Sequence, residues 1–208
     1  MTAPGRRDGP RTASSGTAPP SGALPRTAVP LGEAQPGAAF ERESVPNGAV
    51  VTVLGVGNPI MGDDGVGLEL LAAVRATCPG PRVEFVDGGT GGLELLPVVQ
   101  DAQRLLVLDA VAGATPGQVV ELAGDQIPRL LSAKLSPHQV GLLDVFAAAR
   151  LLGREPATVA VVGIVPEAVD LRLGLTPAVA AALPQAAALA RAVVARWLDE
   201  APSCSGAH

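Results

Sequence analysis

Aromatic side chains are nearly missing from this chain. With three Phe, one Trp and no Tyr, a core has to be built from Leu, Val, Ile and Ala. A basic excess is missing too: the formal charge of −5 leaves no electrostatic footprint for nucleic acid or an anionic membrane surface. The two cysteines, Cys78 and Cys204, lie far apart, the second in a polar tail. They make neither a disulfide framework nor a metal-type Cys pair, so a reducing cytoplasm is the expected compartment. No apolar run is read as long enough to span a membrane, and the N-terminus lacks the basic-then-apolar layout of a secretory signal. Histidine is scarce as well: His208 is the final residue, which leaves His138 as the only imidazole in the body of the chain.

What is present suffices for one domain with a substantial core, since 48% of the 208 residues are hydrophobic. Residues 1–47 are dominated by Pro, Gly, Ala, Ser and Thr without apolar periodicity. Such a segment cannot offset its ordering entropy and is expected to be a disordered extension. Four arginines within its first thirty residues (Arg6, Arg7, Arg11, Arg26) raise the question of a transit peptide, but its prolines oppose the amphipathic helix such peptides need. Residues 48–200 are expected to form the folded domain and 201–208 a frayed tail.

Within the domain, apolar β-branched runs alternate with helical patterns. AVVTVLGV (49–56), RLLVLDAV (104–111) and TVAVVGIV (158–165) read as strands covered on both faces. RVEFVD (82–87) alternates like a strand, and QVVEL (118–122) reads as an edge strand. Helices are predicted from Asp64 to Thr77, over 92–100 with Pro97 kinking or ending it, and in the segment that stops at the C-cap Gly153. A short turn or helix is expected around Ile127 to Leu131. Thr176-Pro177 is a cap followed by a first-turn proline, opening a helix that Pro184 should interrupt before a second segment runs to about Glu200. The alternation predicts an α/β three-layer sandwich, with a twisted, mainly parallel sheet of about five strands flanked by helices.

The stretch LGVGNPIMGDDGVG (54–67) starts like an anion-cradling glycine turn but carries two aspartates. These would repel an anion and attract a cation. In open α/β sheets the site lies beyond the carboxyl ends of the strands, which singles out Asp64, Asp109 and His138. Two carboxylates and one imidazole on one edge suit a borderline divalent metal. Other roles compete. Asp63 reads foremost as a helix cap, Asp64 and His138 as cap or ligand equally well, and Asp109 as a turn-holder or a functional carboxylate. A dinucleotide fingerprint fails because Ile60 stands where its third glycine belongs, although the acid at Asp87 fits. There is no G-x-S-x-G elbow and no H-E-x-x-H helix. Ser136 beside His138 makes no triad.

The ordered set G-V-G-N-P-I-M-G-D-D-G-V-G, D-G-G-T-G-G-L-E-L-L, V-L-D-A, S-P-H-Q-V-G and V-G-I-V-P-E resembles the hydrogenase maturation endopeptidases over about residues 51–180. The resemblance implies an endopeptidase that trims a C-terminal extension from the large-subunit precursor of a nickel–iron hydrogenase once nickel is installed. It also implies metal contacts at Asp64, Asp109 and His138, which would serve as catalytic residues too. The first of these is often Glu in the family, so the shorter Asp would draw the metal closer to its loop. Nickel is expected to arrive with the substrate, with no other cofactor, and the protein is expected to be a cytoplasmic monomer. Two other functions suit the same three residues: a small-molecule metal-dependent hydrolase, and a non-catalytic nickel-binding assembly factor.

Overall fold

The computed structural model describes residues 49–78, 80–124 and 137–201; for 137–140 it describes the backbone only. The expected extension, the tail beyond residue 201, and the element expected around Ile127 to Leu131 lie outside the described residues.

Five strands, β1 (Val51–Val56), β2 (Val83–Gly89), β3 (Arg104–Ala110), β4 (Val119–Ala123) and β5 (Thr158–Ile164), form one sheet in the order β2-β1-β3-β5-β4. All pairings are parallel except that of β4 with β5. The helices are α1 (Val66–Arg75), α2 (Leu96–Asp101), α3 (Pro137–Leu151) and α4 (Pro177–Glu200), with short 3-10 turns at Gly62–Gly65 and Leu93–Leu95. Strand side chains alternate between two apolar layers. Val51, Val53, Leu106, Leu108, Ala160 and Val162 pack with α1 and α4 on one face. Leu54, Val56, Leu105, Val107 and Val161 pack with α2 and α3 on the other. This is the three-layer α/β sandwich expected.

The prolines behave differently from expectation. Pro97 sits in the first turn of α2, where its missing N–H costs nothing, so it starts that helix and does not kink or end it. Pro184 lies inside α4, which runs unbroken from Pro177 to Glu200. It deprives the carbonyl of Ala180 of a helical partner, but both residues are exposed and water can replace the bond. The expected cap holds: Thr176 Oγ1 accepts from the N–H of Val179 at 3.5 Å. Gly153 follows α3 with φ +65, the left-handed conformation that a C-cap glycine adopts.

The expectation that no apolar run is long enough to span a membrane does not hold for α4. By length and composition, α4 reaches the threshold of a membrane span, with a mean hydropathy of 1.6. Part of that apolarity, the 33% of the window that is buried, follows from its place in the fold, since Val179, Ala182, Ala186, Ala190, Val193 and Trp197 recur at helical spacing and fill the core against the sheet.

Candidate functional site at the carboxyl edge of the sheet

β1 pairs with β2 on one side and β3 on the other, so chain connections leave in opposite directions between β1 and β3. Such a switch point opens a crevice at the carboxyl edge of an α/β sheet. Asp64 and Asp109 both lie there. Asp64 follows β1 in the 3-10 turn that packs against β3, and Asp109 is the penultimate residue of β3.

Glycines let the backbone close around this edge. Gly57 has φ +140, and a Cβ there would collide with the carbonyl oxygen of Asp64. Gly67 sits so close to the carbonyl oxygens of Val56 and Leu108 that no side chain fits between α1 and the strand ends. The turn bearing both aspartates is thereby pressed onto β1 and β3. Gly163 performs the same task beside Asp109, its register partner on β5, because a Cβ would come 2.6 Å from the Asp109 carbonyl oxygen. The glycine turn after β1 is evident from its local sequence, whereas the constraints on Gly67 and Gly163 come from segments distant in the chain.

The two neighbouring aspartates take different partners. Asp64 is 1% exposed, and its Oδ2 accepts from the N–H of Asn58 at 3.1 Å, which closes the turn on itself. Asp63 is fully buried and does not cap the helix as expected. The 3-10 turn has no side-chain cap, and Asp63 instead reaches the loop between β5 and α4. Its Oδ1 accepts from Thr176 N at 2.6 Å, and its Oδ2 from Glu167 N at 2.9 Å, Ala168 N at 3.0 Å and Thr176 Oγ1 at 2.9 Å. Burial alone would raise its pKa, but these four donors outweigh it and hold the carboxyl below its ordinary value.

Asp109 has no solvent exposure. Strand alternation puts it on the face of Leu105 and Val107, the face that α2 and α3 cover. His138 is the second residue of α3. Helix α3 approaches the same edge: a methyl on Gly141 would come 3.2 Å from the Cα of Gly92, just past the end of β2. The imidazole of His138 lies outside the described side chains. Among the described residues no cluster of three His, Cys, Asp or Glu groups is present; of the three expected residues, Asp64 and Asp109 lie at the carboxyl edge, the one following its strand and the other near the end of its own. Carboxylate oxygens with an imidazole nitrogen form a donor set that fits a borderline divalent ion such as nickel. Cys78 is a free, half-buried thiol outside this group, and burial pushes its pKa up.

Known proteins share this architecture. The hydrogenase maturation protease family matches residues 68–193. The hydrogenase 2 maturation protease of Escherichia coli K12 is 38% identical over 63% of this chain and 82% of its own. The hydrogenase expression/formation protein HupD of Rhodobacter capsulatus is 40% identical over 71% of this chain and 72% of its own. Among solved structures, the hydrogenase maturating endopeptidase HybD from E. coli superposes with a TM-score of 0.66 at 35% identity, covering 70% of this chain and 92% of that one. With a matched segment longer than half the chain and the same mostly parallel sheet, this chain belongs to the hydrogenase maturation proteases and is a peptide hydrolase.

Proposed function

We propose that Asp64, Asp109 and His138 read nickel already seated in a nickel–iron hydrogenase large-subunit precursor, and that this endopeptidase then removes the precursor's C-terminal extension. The observation that carries the reading is the placement of two buried carboxylates at the β1/β3 switch point of a maturation-protease fold. An ionised carboxylate is costly to bury, and a cation is one partner that offsets the cost. The substrate's nickel would be that cation.

Two carboxylates and an imidazole, with no thiolate, make a weak and open site, unlike a closed structural one. Weakness suits the task, because a protease that held nickel tightly by itself could not tell a loaded precursor from an empty one. The discriminating binding energy comes from substrate nickel completing its coordination, which brings the scissile segment to the edge. Hydrolysis adds a water oxygen to the scissile carbonyl carbon, breaks the C–N bond and delivers a proton to the departing amine. A carboxylate at this edge is suited to accept the water proton and pass it on. The enzyme acts as a cytoplasmic monomer.

Elemental analysis after dialysis, paired with cleavage of nickel-free and nickel-loaded precursor, tests the reading. The expected result is a largely metal-free enzyme that cuts only the loaded form. Stoichiometric metal surviving dialysis, or equal cleavage of both forms, overturns it.

A further inference from the structure

We infer that Asp63 is a positioning residue for the reaction: by latching the β5–α4 loop onto the turn after β1, it sets the direction in which Asp64 presents its carboxylate. The inference rests on the proposed role of Asp64.

The latch ties two distant segments together. Asp63 N donates to the Ala168 carbonyl at 3.2 Å, Gly62 N to the Arg172 carbonyl at 2.8 Å, and Arg172 N to the Ile60 carbonyl at 3.0 Å. The side chain of Asp63 then takes all four donors from residues 167–176. One turn therefore has its two acids held by different segments. Asp63 is fixed to the last loop of the domain, and Asp64 to Asn58 in the first. Successive side chains in a 3-10 turn point about 120° apart. Anchoring the first thus sets the rotation of the second.

The latch also requires a carboxylate and not merely a polar group of that shape. Every partner of Asp63 is a donor, so an amide would turn an NH2 toward backbone N–H groups. The Thr176 hydroxyl cannot reverse without cost, because it already accepts from Val179 N while donating to Asp63. Thr176 is therefore coupled to the latch and to the start of α4 together.

A purely structural role would lower the melting temperature and leave turnover per folded molecule unchanged. A positioning role lowers kcat in molecules that are fully folded, since misplacing a reacting group by about 1 Å costs on the order of 10²-fold. The experiment measures kcat and KM on nickel-loaded precursor for Asp63→Asn, Thr176→Val and Thr176→Ser, well below each melting temperature, with folding checked by circular dichroism. The expected result is kcat reduced about 10- to 100-fold in Asp63→Asn, with KM within about 2-fold of wild type. Thr176→Val should fall in the same direction and Thr176→Ser should recover. If Asp63→Asn does not fold, the Val/Ser pair at position 176 decides. Wild-type kcat in folded Asp63→Asn, or equal kcat in Thr176→Val and Thr176→Ser, overturns the inference. Asp64→Asn is run in parallel. If it processes normally, the proposed site itself fails; if it is dead while folded Asp63→Asn is fully active, only the positioning role fails.

Discussion

At the amino end of β3, Arg104 donates to the carbonyl of Trp197 at 2.7 Å and to Glu200 at 3.0 Å, and Glu200 remains half exposed. At the carboxyl end of the same strand, Asp109 is withdrawn from solvent altogether. The contrast extends across the sheet. Its amino edge carries solvent-facing ion pairs, with Arg154 against Asp101 at 3.2 Å and the Arg104–Glu200 contact. Its carboxyl edge carries Asp63, Asp64 and Asp109 inside the protein. Exposed pairs in water gain little and can be exchanged freely. Buried carboxylates must be held by hydrogen bonds or a cation, so they persist only where the fold or the chemistry needs them. The carboxyl edge has an exposed pair as well, Arg172 with Asp170 at 3.7 Å, so what sets it apart is its three buried carboxylates.

The largest effect that would break or sharpen this contrast is expected on chemistry. Asp64→Asn and Asp109→Asn should each reduce precursor processing by at least about 10²-fold while leaving the fold intact, read as the mass of the large subunit after incubation. His138→Ala should behave alike. Unimpaired cleavage by the Asp109 variant would make the carboxyl edge no more functional than the amino one.

Next in size is a change of packing with no change of charge. Gly67→Ala puts a methyl against the carbonyl oxygens of Val56 and Leu108, neither of which is a flexible side-chain end. Overpacking of this kind costs about 1–3 kcal/mol or more, so the melting temperature should drop by several degrees or the protein should fail to accumulate. Gly153→Asn should cost far less, because nothing lies near its Cβ position and Asn tolerates the left-handed conformation.

A smaller, pH-dependent effect is expected from Asp63. Its folded pKa lies below the ordinary 3.8, so it binds a proton more weakly folded than unfolded. Its contribution to stability is therefore complete above about pH 4–5 and is lost as pH falls through the depressed folded value. Denaturant titrations at pH 6, 4 and 3 should show wild type losing stability in the acid range, and Asp63→Asn losing less. Parallel curves would show that the latch carboxylate is not linked to folding.

The smallest effect belongs to the amino edge. Arg154→Gln breaks an exposed pair with Asp101 and should change stability by no more than about 1 kcal/mol, with precursor processing unchanged. A drop in processing would dissolve the distinction between the two edges.

The strands and the carboxyl-edge position of Asp64 and Asp109 were legible because they follow from local signals: β-branched runs, a glycine turn, and an acid after a run of apolar residues. The role of Asp63 was not, since its side-chain donors lie 104 to 113 residues away and leave no local pattern. Gly67 was hidden for the same reason, its constraint coming partly from Leu108 on another strand. Pro97 and Pro184 show the limit of residue type alone. One begins a helix and the other rides inside one, and what separates them is position in the first turn and exposure to water.

The latch also sets a timetable. Asp63 is synthesised 113 residues before Thr176, and chains grow at about 5–20 residues per second. For roughly 6–23 s at those rates, the growing chain holds the Asp63 carboxylate but not the Thr176 donors that complete its setting. Until they arrive that carboxylate stays hydrated, and the turn bearing Asp64 has only its local bonds, such as Asn58 N to Asp64, to hold it. On the positioning role inferred for Asp63, the site is therefore completed only after Thr176 has been made.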